Sequence, residues 1–139
     1  MHELLGRVLI LDTDPGTLIR LQHILEDAAI DATVTWDEAE ALQLLAATTF
    51  DLILIEDHPP ELDAPAIIDA LSFRGSCPRV LILLAVTCEK AIEYFHRQGA
   101  VGVAPKQDPL AVLDWVKKTL KSVQSAKVAR VEARSLRAA

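Results

Sequence analysis

An α/β fold with a doubly wound, five-stranded parallel sheet is what this chain of 139 residues predicts, and three observations carry the prediction. Leu52 to Ile55 is an unbroken apolar run that enters Glu56 and Asp57. Without alternation, such a run reads as a strand buried on both faces, the kind found in parallel sheets covered by helices. Arg7 to Asp12 is a second buried-strand pattern that ends in an acid. Strand and helix patterns then alternate five times, as crossover connections between parallel strands require. Because burying a charge is costly, Glu56 is expected at the carboxyl end of its strand, where the sheet opens to water and where open α/β sheets bind ligands.

Each element has its own signal. After the strand at 7–12, Asp14-Pro15 is a helix start, and Leu18, Leu21 and Leu25 with Ile24 and Ala28 give its apolar stripe. Ala32 to Thr35 is a short strand. Thr35 and Glu38 have capping-box spacing for a helix through Ala47, with Ala39, Leu42 and Leu45 or Ala46 facing inward. The central strand at 51–56 follows, and Asp63 with Pro65 starts a helix expected to end near Gly75. Val80 to Leu84 is the fourth strand. Thr87 is the expected cap of a helix carrying Ala91, Ile92 and Phe95 and stopping at Gly99. Ala100 to Ala104 is the fifth strand, placed at a sheet edge because Pro105 lacks a ladder donor. Asp108-Pro109 opens the last helix.

The composition suits one domain with an aliphatic core: 51% of residues are hydrophobic and 4% aromatic. No apolar run approaches bilayer length, no signal-peptide pattern opens the chain, and Cys77 and Cys88 form no CxxC pair. A soluble, cytoplasmic protein is the expectation. The net charge of −6 is unevenly spread: residues 1–116 hold 19 acidic and 7 basic side chains, residues 117–139 hold 1 and 7. The basic end lacks interleaved aromatics and any DNA-reading motif, so direct nucleic-acid binding is not expected.

The segment Phe50 to Pro60 resembles the third strand of response regulator receiver domains. Phe50-Asp51 opens it, an acid ends it at Glu56, Pro60 stands four residues on, and Leu62-Asp63-Ala64 takes the place of Met-Asp-Gly. The resemblance covers roughly residues 7–120 and implies the flavodoxin-like strand order 2-1-3-4-5. It also implies a site of two acids after the first strand, a phosphorylated aspartate, a Thr or Ser after the fourth strand and a lysine after the fifth. Mg²⁺ would take the hard oxygen ligands, and the hydroxyl and lysine would hold the phosphoryl oxygens.

Matched position by position, Asp12 is the first acid, Thr13 replaces the second, and Glu56 replaces the phosphoacceptor. Leu84 replaces the Thr or Ser, and Lys106 is the lysine. The Lys-Pro pair of the family is broken by Gln107, and Val103 stands where an aromatic is frequent. The resemblance therefore implies a degenerate receiver, a pseudo-receiver whose Glu56 is either a partial mimic of phospho-aspartate or a relic acid paired with Lys106. Metal ligation is expected to be weak or absent, with Asp12 and Glu56 the candidates. Asp57 reads as a solvated loop acid, its side chain on the opposite face from its neighbour's.

Two other function classes compete with this reading. Leu11 to Leu18 resembles the opening motif of haloacid-dehalogenase-type phosphatases, but Pro15 is inserted and no later paired-acid motif follows. His2, His23, His58 and His96 have no metal-ligand spacing. A receiver still phosphorylated by a histidine kinase is the nearer alternative. Expected partners are proteins, a histidine kinase or a downstream effector or output domain, with a homodimer also open. Residues 1–123 read as the receiver-like domain and 124–139 as a basic helical extension, since the stripe Leu113, Val116, Leu120, Val123 breaks at Lys127 and Arg130.

Overall fold

The computed structural model describes residues 3–73 and 78–138. Five strands, β1 (Arg7–Leu11), β2 (Asp31–Thr35), β3 (Leu52–Glu56), β4 (Arg79–Leu84) and β5 (Gly102–Pro105), alternate with five helices. These are α1 (Pro15–Asp27), α2 (Glu38–Ala47), α3 (Ala64–Ser72), α4 (Glu89–Arg97) and α5 (Pro109–Ala138). All pairings are parallel, in the order β2-β1-β3-β4-β5. β5 is indeed an edge strand, so Pro105 withholds its missing donor from no neighbour.

Side chains alternate along each strand and divide the interior into two layers. Leu9, Leu11, Ile53, Ile55 and Ile82 face α2, α3 and α4, packing with Ala41, Ile67, Leu71 and Phe95. Val8, Ile10, Leu52, Leu54 and Leu81 face α1 and α5, packing with Leu18, Leu21, Leu25, Val112, Val116 and Leu120. β3 is buried at every position, as the unbroken run requires. At the edge, Gly102 admits α5: a Cβ there would lie 2.4–2.9 Å from the Trp115 ring.

Several helix ends differ from expectation. α2 is capped by Asp37, whose carboxylate accepts from the Glu40 N–H at 3.2 Å, while the Thr35 hydroxyl accepts from Asp37 N–H at 3.2 Å. Thr35 is the last residue of β2, two positions too early to reach the helix. In α2 it is Ala41 that is buried, and Ala39 is exposed. Cys88, not Thr87, precedes α4, and it makes no side-chain cap. Asp14 and Asp63 cap α1 and α3 as expected. Strand β5 starts two residues late, at Gly102, where its ladder to Leu81 begins. The expected helix end near Gly75 and Cys77 lie outside the described residues. The 30-residue α5 passes 123/124 without a break, and Lys127 pairs with Asp51 at the start of β3 at 2.9 Å.

Candidate functional site

β1 and β3 are neighbours and β5 lies one strand further, beyond β4; all three end with residues of one parity on the α1–α5 face, and this parity brings Asp12, Glu56 and the long Lys106 side chain together. The Lys106 ammonium donates to Glu56 Oε2 and, at 3.1 Å, to Asp12 Oδ1. Glu56 Oε1 accepts from the Thr13 hydroxyl at 2.6 Å and from the Thr13 N–H at 3.1 Å. Asp12 Oδ1 also accepts from the Asp14 N–H at 2.8 Å. The acids do not stand in water as expected: Asp12 is 0% exposed and Glu56 4%. They tolerate burial because the lysine lies between them.

Two carboxylates and one ammonium leave the cluster one negative charge in excess, and the excess is not shared evenly. Burial pushes the Asp12 carboxyl above its ordinary range, against the pull of Asp14 N–H and Lys106. Burial opposes ionisation of Glu56 too, but the Lys106 and Thr13 donors outweigh it and hold that carboxyl low. Burial likewise disfavours the ammonium, yet its bonds to Glu56 and Asp12 hold Lys106 above its ordinary value. Asp12 Oδ2 is the one buried side-chain polar atom without a hydrogen-bond partner among the described residues.

The residues singled out in the sequence do not all converge. Leu84 is half-buried and packs on the α2–α4 layer, on the other side of the sheet from the cluster. Thr87 is exposed. Asp14 turns away to accept from the Gly16 N–H and the Thr17 hydroxyl. Asp57 is only half-exposed, and its carboxylate accepts from the Ala64 N–H at 3.2 Å, fastening the start of α3. The role of Thr13 was missed: the residue read only as a lost acid supplies two of the three donors that hold Glu56. The signal was available, since a threonine hydroxyl can donate to a carboxylate where a second acid would repel it.

This arrangement does not suit a divalent cation. Glu56 has both oxygens engaged, and the Thr13 hydroxyl is committed to it. Of the carboxylate oxygens of Asp12 and Glu56, only Asp12 Oδ2 is free, and among the described residues no three acidic, His or Cys side chains gather as a metal group. A cleft of about 600 Å³ opens above the cluster, reaching Thr17, Arg20, His58 and Gln107.

No family model matches the chain. A response regulator receiver protein of Anaeromyxobacter is 27% identical over 106 residues, 76% of this chain and 44% of that protein. The DNA-binding transcriptional regulator NtrC of Escherichia coli is 29% identical over 101 residues, 73% of this chain and 22% of that protein. Among solved structures, the receiver domain of Francisella response regulator 1452 superposes with a TM-score of 0.77 at 24% identity, over 84% of this chain and 98% of that one. Chemotaxis response regulator CheY4 of Vibrio cholerae gives 0.74 at 21% identity, over 82% and 98%. Curated relatives and fold neighbours consistently indicate a response regulator receiver domain. The chain spans less than half the length of the curated relatives it matches. Receiver domains are signalling domains of two-component systems, and the resemblance of residues 50–60 led to the right fold. No described helix of the receiver is long and apolar enough to cross a membrane.

Proposed function

We propose that this receiver signals through protein–protein contact without phosphorylation, as a pseudo-receiver, and that it has no catalytic activity of its own. One observation carries the reading: the carboxylate at the phosphoacceptor-equivalent position, Glu56, is already held by three donors, the Thr13 hydroxyl, the Thr13 N–H and Lys106. A nucleophile must present an unencumbered oxygen in line with the incoming phosphorus. Glu56 presents neither, and Lys106, which would steady the phosphoryl oxygens, is neutralised by two internal acids. Mg²⁺ affinity is correspondingly weak or absent, because Mg²⁺ dehydrates reluctantly for a single carboxylate oxygen. The Glu56 carboxylate, held by Lys106, is a partial mimic of phospho-aspartate, with about half the charge of a phosphoryl group.

The partner is a protein, either a histidine kinase or an effector; the NtrC relative carries its receiver-like stretch within a DNA-binding regulator. A cytoplasmic location fits such a partner. The test is intact-protein mass spectrometry after treatment with acetyl phosphate and Mg²⁺. The native chain is expected to gain no phosphoryl adduct, and the triple variant Thr13→Asp, Glu56→Asp, Leu84→Thr is expected to gain some. An adduct on the native chain mapped to Glu56 or Asp57 would overturn this reading in favour of a receiver that still accepts a phosphoryl group.

A further inference from the structure

At the opposite end of the sheet lies a second cleft, of about 420 Å³, bounded by the end of α2, the starts of β3 and β4, and the distal half of α5. Its apolar wall is made by Leu45, Leu71 and Val123. Its charges are Asp51, Lys127, Arg79 and Arg130. Asp51 is consumed: Oδ1 accepts from Lys127 at 2.9 Å and Oδ2 from the Arg7 N–H at 2.9 Å. The two arginines are not consumed. Arg79 Nη1 donates to the neutral Ser122 hydroxyl at 2.8 Å, and Arg130 Nε donates to the Ala126 carbonyl of its own helix at 3.4 Å. Among the described residues neither has a carboxylate within ion-pair distance, although the chain has 20 acidic side chains. The Thr48 and Thr49 hydroxyls at the same rim make no hydrogen bond among the described residues.

We propose that this cleft binds a small phosphorylated metabolite of mononucleotide size. The phosphoryl group lies between Arg79 and Arg130, and the apolar or aromatic body rests on Leu45, Leu71 and Val123. Guanidinium forks match phosphate oxygens in bidentate fashion, and a dianion balances the two uncommitted positive charges as a monocarboxylate does not. The volume lies within the usual range of small-molecule sites, about 300–1,000 Å³. Arg79 belongs to the sheet and Arg130 to the far end of α5. A ligand that bridges them therefore fastens the helical extension to the body and links occupancy to the segment best placed to meet a partner. This reading is independent of whether Glu56 can be phosphorylated.

The experiment is a ¹⁵N NMR titration of the full chain with adenosine monophosphate, inorganic phosphate and adenosine. Adenosine monophosphate should shift the amides of Thr48, Thr49, Val123 and Arg130 saturably and slow hydrogen exchange over 128–136. Phosphate should bind the same amides more weakly, and adenosine should leave them unmoved. Arg130 is exposed, so Arg130→Gln keeps the fold and should weaken binding about tenfold or more, as should Arg79→Gln. Absence of saturable shifts with either phosphate-bearing probe, or equal affinity in both variants, overturns the site. Phosphate binding as tightly as adenosine monophosphate overturns the assignment of the apolar wall, and unchanged exchange over 128–136 overturns the fastening of the extension.

Discussion

At the carboxyl ends of the strands, three charged groups lie buried beneath a cleft, sealed by their bonds through Lys106; at the amino ends, four line a cleft with their charges open to it, and only two are paired. The Lys106 side chain is 11% exposed, between acid side chains that are 0% and 5% exposed, whereas the Lys127 side chain is 51% exposed above an Asp51 side chain that is 15% exposed. The same chemistry, lysine on carboxylate, thus has different weight at the two ends. Taking away one member of a buried group strands the rest in low dielectric, whereas an exposed partner is replaced by water. The sealed end is built to hold one state and the open end to accept something. Exchanging matched substitutions between the two ends measures that difference.

The largest effect is expected from Lys106→Met. It leaves Asp12 and Glu56 buried together without a cation, and stability at neutral pH should fall by about 3–5 kcal/mol in urea denaturation. Glu56, now lacking its counter-charge, should titrate at higher pH by NMR than in the native protein. Lys127→Met, the matched change at the open end, should cost no more than about 1 kcal/mol. Equal losses at the two ends would erase the distinction.

A second contrast lies within the sealed end, between its two acids. The Asp12 carboxyl is raised, so the folded state binds its proton more tightly than the unfolded chain does. That contribution is fully present below the unfolded pKa and is lost as pH rises through the folded one. Glu56 is lowered and has the opposite sign: its contribution is present above the unfolded pKa and lost as pH falls through the folded value. From neutral pH downward, stability should first rise as Asp12 takes up a proton and then fall as Glu56 does. Asp12→Asn should abolish the first limb and leave the second. It should also gain about 1 kcal/mol at neutral pH, since it brings the cluster to neutrality. Urea midpoints at a series of pH values decide it, and an unchanged first limb in Asp12→Asn would place the proton elsewhere.

The two ends were unequally legible in the sequence. Leu52 to Ile55 and Val8 to Leu11 could be read as buried strands because double burial leaves no alternation to misread. Asp12, Glu56 and Lys106 were found because acids at strand ends and a lysine after an apolar strand are visible against the core. Thr13 was misread because a residue type shows what it cannot ligate more readily than what it donates to. Its bond to Glu56 crosses 43 positions. The cap at Asp37 was missed for a local reason: Thr35 and Glu38 match the capping spacing, but the strand claims Thr35. At the amino ends almost nothing was legible. Asp51, Arg79 and Arg130 come from β-strand starts and a distant helix turn, and no spacing within a single element joins them.

The smallest effect is expected from removing the helical extension. Truncation after Val123 deletes Lys127, which pairs with Asp51, and Arg130, which lines the cleft. Of the apolar residues it removes, Val128 is 55% exposed, Val131 61% and Leu136 80%, so little buried area is lost. Asp51 retains the Arg7 N–H at 2.9 Å and turns its other oxygen to water. The loss should stay within about 1 kcal/mol, the size of an exposed ion pair, which moves the melting temperature by only a few degrees. Asp51 is held low partly by Lys127, against burial, so truncation should also raise its carboxyl toward the ordinary value. Calorimetry and carboxyl NMR on the truncated chain measure both. A loss as large as that of Lys106→Met would show the open end to be as tightly built as the sealed one.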